Sequence, residues 1–210
     1  MKKGLEMVCS ANNGRSPVMR LLAMRRLHEL GNEDCFVDSS GTFVDKINSW
    51  DFSREEITPT MYLAMQRSMY SAQETSELDA LLRSGEGDLI PYLKKVLPSL
   101  IDEEGSYRTR ALQSVNLNPA EVQPAKQTLP REDVVAVVTA DQSNAERVKK
   151  MYAESGRRYS PLIASVSELA GMPEITIVKD RFDYDVYVSV FNDLAARIPR
   201  AVDEVIRATN

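Results

Sequence analysis

The apolar positions of this chain alternate between two periods. Leu5 to Val8 form a short run, apolar but for Glu6, that reads as the end of a buried strand. From Pro17 the spacing becomes helical, with Met19, Leu22, Ala23, Leu27 and Leu30 three and four apart. Pro suits a first helical position, and Ser16 before it suits the N-cap. Gly31 and Asn32 are residues that close a helix. Residues 35–37 read as a second short strand. Residues 134–138 are continuously apolar, as in a parallel strand covered on both faces. Residues 142–154 read as a charged surface helix, 157–164 as a fourth strand and 166–169 as a short helix. Residues 175–178 lead to Asp180. Tyr187, Val190, Phe191, Leu194, Ile198, Val202, Val205 and Ile206 then repeat at helical spacing, predicting one long terminal helix bent at Pro199. Strands alternating with helices predict an α/β fold: a parallel four-stranded sheet flanked by helices.

Residues 43–110 follow another rhythm. Thr58-Pro59 reads as a cap and first helical position, followed by Met61, Tyr62, Met65 and Met69. Thr75 reads as the cap for Leu78, Leu81 and Leu82. Leu89, Leu93, Val96, Leu97, Leu100 and Ile101 form a further amphipathic run, interrupted by Pro91 and Pro98. The expectation is a single domain over 1–210, with 43–110 as a helical cap inserted after the second strand. The methionine stripe fits a small core, or a roof over a binding site.

Composition narrows the function. The chain has 210 residues, 43% hydrophobic and 27% charged, enough for a full core. A net charge of −5 gives no footprint for nucleic acid. No apolar run approaches the ~18 residues of a membrane span, and the N-terminus lacks a signal-peptide core. Two Cys and one His make neither a disulfide framework nor a zinc cluster. A reducing, cytoplasmic setting is expected, with no cofactor, metal, nucleic-acid or membrane partner.

The chemistry concentrates between the first strand and first helix, in Cys9-Ser10-Ala11-Asn12-Asn13-Gly14-Arg15-Ser16-Pro17. Asn and Gly tolerate left-handed backbone, which a tight loop needs. Such a loop turns successive amides inward, and a helix N-terminus behind it favours a dianion. Ser10, Ala11, Asn12, Asn13, Gly14 and Arg15 are therefore the expected phosphate cradle, with Arg15 supplying a planar fork. That positive potential favours the thiolate of Cys9, which could attack phosphorus. The alternative for Cys9 is an inert buried thiol.

Cys9-x5-Arg15-Ser16-Pro17 resembles the phosphate loop of the low-molecular-weight protein-tyrosine phosphatase family. Three further segments are similar and in the same order: Val37-Asp38-Ser39-Ser40-Gly41-Thr42, Thr139-Ala140-Asp141-Gln142-Ser143-Asn144, and the residues around Asp180-Arg181-Phe182. The resemblance implies hydrolysis of phosphate monoesters, phosphotyrosine in proteins first, through a phosphocysteine intermediate. It implies Cys9 as nucleophile, Arg15 as phosphate ligand, Ser16 as donor to the thiolate and Asp180 as general acid. Asp183 is the alternative acid, since Arg181 stands where the family carries Pro. Ser39 would support Asn12 in the loop. Phe182 and Trp50 would wall the substrate slot, unless Phe182 packs on the cap and Trp50 anchors it. Cys35 reads as core, or as a resolving thiol for Cys9. A relative that dephosphorylates phosphoserine in the RNA polymerase II C-terminal tail carries a similar loop and extra helices, so that substrate class stays open. A non-catalytic phosphate-binding module is the remaining alternative.

Overall fold

The computed structural model describes residues 4–32, 34–175 and 183–209. Four parallel strands form one sheet in the order β2-β1-β3-β4: β1 Gly4–Cys9, β2 Phe36–Gly41, β3 Val134–Thr139 and β4 Leu162–Ser165. Every residue of β1 is buried, as a central strand covered on both faces requires. On one face, α1 (Arg15–Glu29) and α8 (Tyr184–Thr209) pack Met19, Leu22, Leu194, Ile198 and Val202 against Leu5 and Met7. On the other, Val148 and Tyr152 of α6 (Gln142–Glu154) cover Val8, Val137 and Ile163. The fold is α/β with a parallel four-stranded sheet flanked by helices, as the sequence pattern predicts. Among the described residues no helix is long and apolar enough to cross a membrane.

Between β2 and β3 run α2 (Val44–Ser49), α3 (Arg54–Gln66), α4 (Ala72–Ser84) and α5 (Ile90–Ser114). Ile57, Met61, Leu78, Leu93 and Val96 make a separate cluster there, so the methionine stripe is core. α5 bridges the two cores, because its end places Ala111 and Leu112 in the main one. Pro91 sits in its first turn and Pro98 lies inside it, so the apolar run that Pro seemed to divide is one 25-residue helix.

Three helix starts differ from the sequence reading. α3 begins at Arg54 under a capping box of Ser53 and Glu56, which leaves Pro59 inside the helix. Thr58 is spent on the Arg54 carbonyl (2.8 Å), a bond back along the helix and not a cap. α4 begins at Ala72, because Ser71 and Glu74 form a box that outcompetes Thr75. α1 begins at Arg15 with Gly14 as N-cap. Ser16 thereby falls inside the first turn, and its hydroxyl is available for other partners.

Candidate active site

The loop leaves β1 at its carboxyl end, where ligand sites of parallel sheets gather. Asn12 takes a left-handed φ of 50°, as an Asn can. Ser16 Oγ lies 3.0 Å from Cys9 Sγ, 2.9 Å from Asn12 Oδ1 and 3.1 Å from the Ser40 carbonyl. A hydroxyl has one proton. With a thiol, sulfur can donate to Ser16, which passes its own proton to Asn12 or Ser40. With a thiolate, Ser16 must turn its proton to sulfur. Cys9 is buried, and its Sγ reaches this hydroxyl.

The loop carbonyls are tied from outside. Thr42 N–H donates to the Cys9 carbonyl (3.0 Å) and Phe43 N–H to the Ser10 carbonyl (2.9 Å). Arg108 of α5 donates to the Asn13 carbonyl, and Tyr187 of α8 to the Gly14 carbonyl (3.3 Å). In a planar trans peptide the C=O and the following N–H point opposite ways. These four ties therefore turn the amides of Ser10, Ala11, Gly14 and Arg15 away from the surrounding elements.

Arg15 reaches a cavity of about 440 Å³ that Ser10, Phe43, Glu56, Asp141 and Arg147 also line. Its guanidinium meets Asp141 Oδ2 at 2.6 Å. Burial works against the Arg15 charge, but Cys9 and Asp141 outweigh it and hold the group firmly protonated. Burial likewise pushes the Asp141 carboxyl up; Arg15 and the bonds from Asn144 outweigh it and hold Asp141 below the ordinary carboxylate range. Asp141 also caps α6, taking Asn144 N–H at 2.8 Å. Asn144 Oδ1 accepts from Thr42 (3.2 Å) and Ser10 (3.4 Å), joining α6 to the loop. The Thr139–Asn144 segment was legible as a motif; the Arg15–Asp141 pair within it was not.

The structure departs from the predicted site at several residues. Asn12 reaches Ser39 through the Ser39 carbonyl (3.3 Å), not through its hydroxyl, which is buried without a hydrogen-bond partner. Ser40 is the better-connected serine: its hydroxyl donates to Glu6 (2.5 Å) and meets Thr128 (2.8 Å). Trp50 is not at the Arg15 cavity. It lines a different one of about 380 Å³ with Leu97 and Ile101, and Lys94 stacks on its ring at 5.5 Å. Trp50 ends α2 with a φ of 60°, which places it with the packing of α5 and outside the phosphate mouth.

Phe43, immediately after Gly41-Thr42 at the carboxyl end of β2, is an aromatic residue that does line the Arg15 cavity. Its ring meets Phe52 edge-on at 6.3 Å and carries the Arg147 guanidinium at 4.3 Å. Cys35 lies at the far end of the β1–β2 pair, since Gly4 pairs with Phe36 and Cys9 with Gly41. Five strand residues span roughly 17 Å, against the ~7 Å limit between bridged Cα atoms, so Cys35 does not resolve Cys9 within this fold. Asp180 and Phe182 lie outside the described residues. Asp183 caps the start of α8, accepting from Val186 N–H at 3.0 Å. Among the described residues no group of three or more His, Cys, Asp or Glu side chains could hold a metal ion.

No protein-family model matches the sequence, and no curated protein matches it. Solved structures do resemble the fold. A low-molecular-weight protein tyrosine phosphatase from Bacillus subtilis aligns over 99% of both chains, with a TM-score of 0.56 and 13% identity. A protein tyrosine phosphatase from Entamoeba histolytica aligns over 99% of both chains, with a TM-score of 0.56 and 12% identity. A mutant of the YwlE arginine phosphatase with a phosphorylated active-site serine aligns over 98% of this chain and 97% of its own, with a TM-score of 0.56 and 12% identity; another YwlE mutant, from Bacillus subtilis, scores 0.53. With four parallel strands in the order 2-1-3-4 and a loop–helix corner at the end of the first, the chain has the fold of the low-molecular-weight protein tyrosine phosphatases.

Proposed function

We propose that the chain is a cysteine-dependent phosphatase that hydrolyses phosphate monoesters, with protein phosphotyrosine as its leading substrate. One observation carries this reading: Cys9 Sγ is 3.0 Å from Ser16 Oγ, inside a loop whose next arginine reaches an open cavity. The loop carbonyls facing outward leave amides free to hold equatorial phosphate oxygens, as transition-state charge requires. Asp141 fixes the Arg15 fork on one side while the cavity side stays open to phosphate.

Cys9 Sγ attacks in line and forms the S–P bond as the ester P–O bond breaks. Asp180 gives its proton to the leaving oxygen. Water then attacks phosphorus, the S–P bond breaks, and the water proton returns to Asp180. Ser16 steadies the thiolate at both ends of the cycle. Asp183 is the weaker choice of acid because its carboxylate already caps α8.

Phe43 lines the cavity that Arg15 reaches, with the Arg147 guanidinium over its ring, and this aromatic lining supports an aryl ester as the first substrate to test. The test is a panel of phosphotyrosine, phosphoserine and phosphoarginine peptides with a small aryl phosphate. Phosphoarginine belongs in it because one structural neighbour is an arginine phosphatase. Cys9→Ser should abolish hydrolysis while keeping vanadate binding. Hydrolysis that survives this substitution would remove the thiolate mechanism, and vanadate binding without hydrolysis of any ester by the wild type would leave a phosphate-binding module.

A further inference from the structure

Two of the four carbonyl ties come from the end of β2, next to the loop. The other two come from far along the chain. Arg108 stands on the helix that bridges the two cores, and its Nη1 bonds both the carbonyl and Oδ1 (3.1 Å) of Asn13. We propose that Arg108 is a positioning residue of the phosphate loop: by holding the Asn13 carbonyl outward it turns the Gly14 amide into the anion site. The inference rests on the reading of this loop as a phosphate site.

The local sequence cannot set this peptide by itself. Gly14 has the widest backbone freedom of any residue, and no side chain of its own to pack. α5 supplies what is missing from three positions. Asn13 Nδ2 donates to the Ile101 carbonyl at 2.8 Å and to Glu104 Oε2 at 3.1 Å. A Cβ on Gly14 would lie 2.2 Å from Glu104 Oε1, so the Glu104 side chain is seated directly on the glycine. Glu104 and Arg108 are four residues apart on one helix face and together hold Asn13, one by its side-chain amide and the other by its carbonyl and Oδ1.

Arg108 also carries a cost. Its Nε is buried without a hydrogen-bond partner, and a buried donor left unsatisfied is destabilising. A purely structural position would be better filled by an apolar side chain. Tyr187, held at the Gly14 carbonyl from α8, does for the Arg15 amide what Arg108 does for that of Gly14.

The test measures inorganic phosphate binding to the full chain by calorimetry, with amide resonances of Gly14 and Arg15 followed by NMR. In Arg108→Met the Kd for phosphate should rise about tenfold, the size of one charge-assisted bond. The Gly14 resonance of the free protein should shift, with thermal unfolding reported alongside. Arg108→Lys keeps the charge and loses the fork, so it should lose about threefold and recover part of the Gly14 shift; it also serves if the Met variant does not fold. Unchanged phosphate affinity in both variants overturns the inference. So does weaker binding with an unmoved Gly14 resonance, which would mark a through-space charge effect. A wild type that binds neither phosphate nor vanadate overturns the site reading itself, and this inference with it.

Discussion

Gly41→Ala is the sharpest perturbation of the loop that leaves every loop residue in place. A Cβ at Gly41 would lie 2.6 Å from the Asn12 nitrogen, 2.6 Å from the Ser10 carbonyl oxygen and 2.9 Å from the Ala11 carbonyl carbon. All three are backbone atoms, so no side chain can swing aside. Ordinary contact begins near 3.4 Å, so loop and strand must separate by about 0.8 Å in a close-packed region. Gly41 itself is pinned: its N–H donates to the Lys126 carbonyl and its own carbonyl accepts from Thr128 N–H, both at 2.9 Å. The displacement therefore falls on the loop. A misplacement near 1 Å costs about 10²-fold in rate, while overpacking of this kind costs about 1–3 kcal/mol of stability. The assay is kcat/KM on an aryl phosphate with inorganic phosphate as competitor, beside a thermal melt. Gly4→Ala is the control at the other end of the strand, where the clash at 2.1 Å is with the Phe36 ring, a side chain that can turn. It should lower the melting temperature and leave kcat/KM within about twofold. Wild-type kcat/KM and phosphate affinity in Gly41→Ala would refute the claim that β2 sets the loop.

Other outcomes test other parts of the structure. Asp141 has its carboxyl held below the unfolded value against burial, by Arg15 and by its bonds from Asn144. Its contribution to stability is therefore present above the unfolded pKa near 3.8 and lost as pH falls through the lower folded value. Asp141→Asn should accordingly melt closer to wild type in strong acid than at pH 6, and an equal gap at both pH values would remove the pairing with Arg15. Ser71→Ala deletes the α4 capping box and should cost about 1 kcal/mol, a fall of roughly 2–4 °C in melting temperature, with kcat/KM unchanged; a larger loss would mean that α4 supports the site. Leu78→Ala, in the separate 43–110 core, should cost about 2–5 kcal/mol and still unfold in one transition, because α5 belongs to both cores; two transitions in calorimetry would separate them.

The sheet and the loop–helix corner were legible because they follow from local pattern. Five continuous apolar residues over 134–138, four of them β-branched valines, read as a strand covered on both faces, and β3 is that strand. Helix starts were less legible where two caps compete. Thr75 and Ser71 are both acceptable residue types, and only the reciprocal bond from Glu74 selects Ser71. Within the candidate site, the sequence singled out Cys9, Arg15 and the loop between them, and the structure gathers these at the carboxyl end of β1. Residues whose place depends on distant contacts carried no local mark: Phe43, Glu104, Arg108 and Tyr187; Asp141 stood in a legible motif, but its pairing with Arg15 did not show there. An aromatic beside the site was anticipated at Trp50, whereas the aromatic that lines the Arg15 cavity is Phe43, directly after Gly41-Thr42. Ser39 was anticipated as the partner of Asn12, and the pair is present, but it is the carbonyls of Ser39 and Ser40 that take the contacts from Asn12 and Ser16. Carbonyls are invisible to motif reading because every residue has one.

The loop unites two opposed needs. Its sequence must be permissive enough to turn sharply between β1 and α1, and Asn12 takes the left-handed φ of that turn. A permissive segment is also free to point its amides anywhere, and fixing each residue costs about 1–2 kcal/mol in backbone entropy. The structure meets that cost from outside the segment. Thr42 and Phe43 hold its first half from the end of β2, Arg108 and Tyr187 hold its second half from α5 and α8, and Asn144 holds Ser10 from α6. These holders lie between 33 and 173 positions away from the loop residues they hold. The shape of the loop is thus a property of how β2, α5, α6 and α8 pack around it, and the long connection between β2 and β3 takes part through Thr42 and Phe43 at its start and one face of α5. A change that leaves Cys9 and Arg15 untouched but loosens α5 should therefore weaken phosphate binding before it unfolds the protein, because the loop has no means of holding its own peptides.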